Sequence, residues 1–226
     1  MVSNPGVKGE RAAPQRARKD EDKEARRRLL LDEALALYAA TSYAEVKMAD
    51  VAERAGLAKG TVFLYFPTKE ALFLALLEDL LFSWFARLDA RLCQPDAPWT
   101  GPWLARSVAQ SLEAETSLTR LLAMLQTVLE QNVSVEQARR FKERLLQAML
   151  HIGALLEARL DFLRPGEGPR VLVHLHALVT GLRQMADVAP VAREVLASPH
   201  MAPLRIDFTA ELTAALTTLL RGLESR

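Results

Sequence analysis

The sequence predicts an all-α protein with an N-terminal three-helix helix-turn-helix head, joined by a long helix to an all-helical body. Three observations predict it. Leu, Ala, Arg and Glu dominate a 226-residue chain that is half hydrophobic, a quarter charged and only 6% aromatic, which suits helices better than strands. Apolar residues recur at helical spacing, with no strand-like alternation and no repeat of solenoid length. Residues 48–70 read as a short helix, a glycine turn, a second short helix and the capped start of a third.

At this length the chain can bury a substantial core, as one large domain or two modest ones. The net charge of +1 hides an asymmetry: residues 1–69 carry 13 Lys/Arg against 10 Asp/Glu, and the remainder carries a slight acidic excess. A basic front on a near-neutral back fits a nucleic-acid-binding head on a body with another task. The single Cys93 excludes an intramolecular disulfide and suits a reducing compartment. No apolar run approaches the roughly 18 residues that span a bilayer. The longest, Ala71 to Leu77, is closed by Glu78 and Asp79, and the N-terminus lacks an apolar leader. A cytoplasmic protein with no membrane partner is expected.

Residues 1–21 mix Pro5, Gly6, Gly9 and Pro14 with Lys8, Arg11, Arg16, Arg18 and Lys19, and predict a disordered basic arm. Such an arm either tracks DNA phosphates or is a solvated tail. The first helix is expected from about Asp22 to Ala40, where Leu30, Ala34, Leu37 and Tyr38 make one apolar stripe beside the Arg26-Arg27-Arg28 run. Two short helices follow near 48–54 and 58–65. A long helix starts at Thr68, a candidate N-cap with Glu70 placed for the helix dipole, and stops near Leu92 before Gln94-Pro95-Asp96-Ala97-Pro98. Further helices are expected near 101–115, 117–131, 134–163, 169–188 and 202–224, with a short one near 190–197. The division expected is an arm over 1–21, a head over 22–67 and a body over 68–226.

In the head, Ala52 is small enough for the two short helices to cross closely, and Gly56 takes the positive φ of the turn. Val51, Leu57 and Val62 are spaced to fill the core beneath. The other face of the second helix carries the chemistry of double-stranded DNA recognition. Lys59 and Thr61 offer donors to phosphates or base edges, and Gly60 lets the backbone approach the groove floor. Phe63 and Leu64 suit thymine methyls, and Tyr65 offers a hydroxyl to phosphate. Lys69, beside a helix N-terminus, and Lys47, before the first short helix, add flanking charge.

The run Ala-Asp-Val-Ala-Glu-Arg-Ala-Gly-Leu-Ala-Lys-Gly-Thr-Val-Phe-Leu-Tyr-Phe-Pro-Thr-Lys-Glu-Ala-Leu-Phe resembles the N-terminal signature of TetR-type (tetracycline-repressor-like) transcriptional regulators. The resemblance is close over about residues 24–73. Beyond them it is one of architecture, apart from the stretch from His176 to Ala186 and Asp207-Phe208. It implies that Lys59, Gly60, Thr61, Phe63, Leu64, Tyr65 and Lys69 sit where members touch operator DNA. Ala58 departs from the serine that caps the recognition helix in many members, and Lys47 stands where a small hydroxyl residue is common.

One short recognition helix reads too little DNA for useful specificity, so a homodimer on a palindromic operator is expected. Its interface candidates are two stripes: Val171, Leu175, Leu178 and Leu182, and Leu212, Leu216, Leu219 and Leu223. Paired across a two-fold axis they would form a four-helix bundle; alternatively both stripes face the protomer's own core. Trp84, Phe85, Trp103, Met124, Met149, His151, His174 and Met185 are candidates to line a pocket for a small apolar or amphipathic effector, because aromatics and Met suit adaptable sites. His174 and His176 point about 200° apart on a helix, so no metal site is expected, and no cofactor motif occurs. No nucleophile–base arrangement stands out either, which disfavours an enzyme or carrier. Regulation by release of a repressor, or a DNA-binding dimer without an effector, both fit the residues.

Overall fold

The computed structural model describes residues 12–95 and 98–226, and among them every regular element is a helix. The chain divides into two compact units, with the boundary between Leu72 and Phe73. That is five residues beyond the boundary expected at 67, because the first turn of the long helix closes the head's core through Ala71 and Leu72.

The first unit contains α1 (Ala12–Ala40), α2 (Met48–Arg54), α3 (Lys59–Tyr65) and the start of α4 (Lys69–Leu92). Helix α1 begins ten residues before Asp22, so residues 12–21 belong to a helix and not to the expected disordered arm; residues 1–11 of that arm lie outside the described residues. Ala, Gln, Arg, Lys and Glu dominate the extension, and all are good helix formers. Leu30, Leu31, Ala34 and Tyr38 of α1 meet Val46, Val51, Ala52, Val62 and Phe66 in a small closed core. Gly56 takes φ +65° in the turn, and Thr68 Oγ1 accepts from the Ala71 N–H at 3.0 Å, capping α4.

The second unit continues α4 and adds α5 (Gly101–Glu113), α6 (Thr116–Met124), α7 (Val135–Arg159), α8 (Glu167–Ala186), α9 (Pro190–Leu196) and α10 (Phe208–Glu224). The helix expected over 117–131 is interrupted: α6 gives way to a π-helical turn at Leu125–Leu129. The last helix begins six residues later than expected, since Pro203 sits in a 3₁₀ turn at Pro199–Leu204 and Asp207 supplies the cap to the Ala210 N–H at 2.9 Å. Helix α10 packs on α5 and α8, burying Phe208, Leu212, Leu216 and Leu220.

Helices α7 and α8 cross backbone to backbone at Gly153 and Gly168. A Cβ on Gly168 would lie 2.1 Å from the Gly153 carbonyl oxygen, and one on Gly153 would lie 2.4 Å from Pro169 Cδ. Glu157 locks the crossing by accepting the N–H groups of Gly166 and Gly168, each at 2.8 Å, so a carboxylate of α7 caps the N-terminus of α8.

Candidate functional site

Two places hold unusual side chains. The first is the outer face of α3. Lys59 and Gly60 are exposed, and space around Gly60 is open. Phe63 and Leu64 follow at 42% and 82% exposure, two large apolar side chains in water on a seven-residue helix. Thr61 and Tyr65 are half-buried beside them, while Val62 anchors the opposite side at 0% exposure. No side chain caps α3, since its N-cap is Ala58; Lys47 likewise precedes α2 without a capping hydrogen bond. The first N–H groups of both helices therefore lack a cap from the N-cap side chain.

Lys69 is more constrained than its neighbours. Its ammonium lies 4.2 Å over the Tyr43 ring and donates to the Ala44 carbonyl at 3.4 Å. Burial lowers its pKa, opposed by the nearby Glu70 carboxylate. The Tyr43 hydroxyl donates to Glu70 at 3.1 Å, and burial, then that carboxylate's charge and hydrogen bond, push the phenol well above its ordinary range. Lys69 is thus a positioned cation rather than a waving one. In the same unit Arg27 lies 5.7 Å over the Phe66 ring and Arg54 pairs with Glu33 at 2.6 Å.

The second place is an apolar cavity of about 230 Å³ in the second unit. Helix α4 contributes Leu81, Trp84 and Phe85, while α7 contributes Lys142, Leu145 and Met149. Helix α8 contributes Leu172, Leu175, His176 and Val179, and the π-helical turn supplies Leu125 and Gln126. Gln126, Lys142 and His176 are its polar groups; the Gln126 amide meets His176 Nε2 at 3.1 Å, and Lys142 is paired with Glu130. Burial lowers the His176 pKa, reinforced by Lys142 and opposed by Glu130, so the imidazole is held neutral.

The structure assembles only part of the pocket expected from sequence. Trp84, Phe85 and Met149 line the cavity, and Trp103 lines a neighbouring one. His151 is on the surface, hydrogen-bonded to Asp89 at 2.9 Å. His174 is exposed because it falls on the outer side of α8, two residues from the inward His176. Met185 is 56% exposed near the end of α8, and half-buried Met124 lines neither cavity. Gln126 and His176 were missed as lining residues; the π-helical turn that aims Gln126 has no signature in residue periodicity.

The two expected interface stripes divide in the same way. Val171, Leu175, Leu212 and Leu216 are spent in the chain's own core, the last two at 0% and 1% exposure. Leu178, Leu182, Leu219 and Leu223 remain half-buried on the outside of α8 and α10. They lie among Ala177, Gly181, Ala214, Thr218 and Gly222, all exposed, with open space above Gly181 and Gly222. Among the described residues no group of three His, Cys, Asp or Glu side chains is placed to hold a metal ion, and no helix is long and apolar enough to cross a membrane.

Comparison with known proteins agrees with this geometry. Residues 30–76 match the family model described as bacterial regulatory proteins, tetR family, and residues 78–226 match the tetracyclin repressor-like C-terminal domain. The transcriptional regulator RutR of Escherichia coli K12 is 35% identical over 66 residues, which cover 29% of this chain and 31% of RutR. The transcriptional repressor KstR of Rhodococcus jostii is 44% identical over 66 residues, covering 29% of each chain. The chain therefore spans about a third of the length of the curated relatives it matches. Among solved structures, the fatty acid degradation regulator FadR of Bacillus halodurans aligns over 87% of this chain and 95% of its own, with TM-score 0.56 and 20% identity. FadR of Bacillus subtilis, in complex with stearoyl-CoA, aligns over 85% and 96%, with TM-score 0.50 and 18% identity. With both units matched by family models, the chain belongs to the TetR family, a family of transcriptional regulators and not of enzymes.

Proposed function

We propose that the chain is a cytoplasmic, sequence-specific DNA-binding repressor that acts as a homodimer and is released by a small apolar or amphipathic effector. The observation that carries the DNA-binding reading is the exposed apolar pair Phe63 and Leu64 beside Lys59 and the open backbone at Gly60. Two large side chains in water on a short helix need a partner surface, and a major groove offers thymine methyls beside phosphates. Lys47, Lys59, Tyr65 and Lys69 then meet the backbone, while Thr61, Phe63 and Leu64 meet base edges. The uncapped N-termini of α2 and α3 leave N–H groups for phosphate oxygens.

Dimerisation is supported by the half-buried Leu178, Leu182, Leu219 and Leu223 set among small residues, a face that lets a second pair of helices approach closely. The effector reading is supported by the apolar cavity with its few polar groups, Gln126 and His176 among them. Helix α4 belongs to both units, so an effector that binds one of its arrangements more tightly would shift the head. Long-chain acyl-CoA thioesters, the class of the ligand in the B. subtilis FadR structure, are the first to titrate.

The test is a mobility shift with the DNA flanking the chain's own gene. Lys59→Ala and Tyr65→Phe should weaken binding, and Met149→Trp, which fills the cavity, should leave binding intact but abolish release. Unchanged affinity in both head variants would overturn the contact assignment.

A further inference from the structure

All three tryptophans of the chain, Trp84, Trp99 and Trp103, line one cavity of about 160 Å³ between α4 and α5. It adjoins the apolar cavity, and Trp84 lines both. Its chemistry is different. Trp99 and Trp103 meet edge to face at 4.9 Å between centroids, and guanidinium groups cover them: Arg91 lies 5.4 Å over Trp103 and Arg159 lies 5.4 Å over Trp99. Arg87 also lines the cavity, tied to Glu115, and no carboxylate lines it among the described residues.

Two polar groups there have no hydrogen-bond partner among the described residues. The Arg91 guanidinium has no hydrogen-bond or ion-pair partner among the described residues, although it flanks the cavity. Ser107 lines the cavity at 7% exposure, and its hydroxyl makes no hydrogen bond among the described residues. Ser111 is the contrast: its hydroxyl accepts from Trp84 Nε1 at 3.0 Å and donates to the Val108 carbonyl at 2.8 Å, so it is satisfied without a ligand. The exposed Arg91 guanidinium and the Ser107 hydroxyl are therefore free to meet a small molecule in the hollow.

We infer that this cavity is a second small-molecule site, separate from the apolar one, that takes a planar aromatic carboxylate. The three indole rings give the cavity an aromatic wall, which suits a flat ring. Arginines that already cover the tryptophan faces exclude a cation and favour an anion, and Arg91 offers a two-pronged donor to a carboxylate. The Ser107 hydroxyl supplies a further donor.

Because the protein has no tryptophan elsewhere, its intrinsic fluorescence reports this site directly. Purified protein titrated with benzoate should show a saturable change in emission. Benzamide, the neutral isostere, and the exposed variant Arg91→Gln should each weaken binding about tenfold or more, the loss of a charge-assisted pair. Ser107→Ala should weaken it by a smaller factor. Trp84→Phe keeps Trp99 and Trp103, which line this cavity alone, so the response should persist in that variant. Failure of benzoate to give a saturable change, or equal affinity for benzoate and benzamide, overturns the inference. Loss of the response in Trp84→Phe places benzoate in the adjoining apolar cavity and also overturns it. None of these readouts involves DNA, so the result is independent of the repressor reading.

Discussion

Replacing Gly168 by Ala tests how the body holds its shape. The added Cβ would sit 2.1 Å from the Gly153 carbonyl oxygen, about 0.9 Å inside the 3.0 Å limit that real Cβ atoms respect. The obstacle is backbone, so no side-chain rotation relieves it; α7 and α8 must separate. Overpacking of this kind costs about 1–3 kcal/mol, and a backbone obstacle places this variant near the upper end. For a body of this size that lowers the melting temperature by roughly 6–12 °C. Gly153→Ala meets Pro169 Cδ at 2.4 Å and should cost a similar amount. Both clashes are relieved by the same separation, so the double variant should cost less than the sum of the two. Thermal unfolding followed by circular dichroism measures all three. A change within about 0.5 kcal/mol for Gly168→Ala, or strict additivity, would refute a rigid crossing. Since Leu145 and Met149 of α7 face Leu172 and Val179 of α8 across the apolar cavity, the same variant should also weaken effector binding.

Other outcomes follow from single groups. Ala58→Ser restores a cap to α3 and should stabilise the head by about 0.5–1 kcal/mol, read by thermal unfolding. Lys59→Ala removes one phosphate contact and should reduce the slope of log affinity against log salt by about 1. His176 has its folded pKa below the unfolded value, chiefly through burial, so the unfolded chain binds its proton first as pH falls. Its effect is absent above the ordinary histidine range and becomes a penalty as pH drops through the unfolded pKa toward the folded one; His176→Gln should flatten that part of the stability profile. Leu219→Glu, on the outer side of α10, should yield monomers in sedimentation while keeping its helical signal.

Local rules made the head legible. Gly56 takes the positive φ its place in the turn demanded, and Thr68 caps α4, because both depend on a few neighbouring residues. The missing cap at Ala58 was readable from the family resemblance, in which a serine is common at that place. The body was legible as helices but not as faces. Leu212 and Leu219 share one stripe by spacing, yet α10 is apolar on more than one side and only packing against α5 decides that Leu212 is core. His151 and Met185 have the composition of a pocket and the position of a surface, which chain order does not disclose. Gly153 and Gly168 are ordinary glycines until their helices cross.

Reading of DNA by two copies of α3 through their exposed faces is tested by footprinting on the DNA flanking the chain's own gene. Two protected half-sites related by a two-fold axis are expected, with centres one helical turn or a small multiple of about 10–10.5 base pairs apart. The protection should be lost at the same protein concentration when Leu64, 82% exposed, is changed to Glu. Protection at a single unpaired site, or an unchanged footprint with Leu64→Glu, would contradict it.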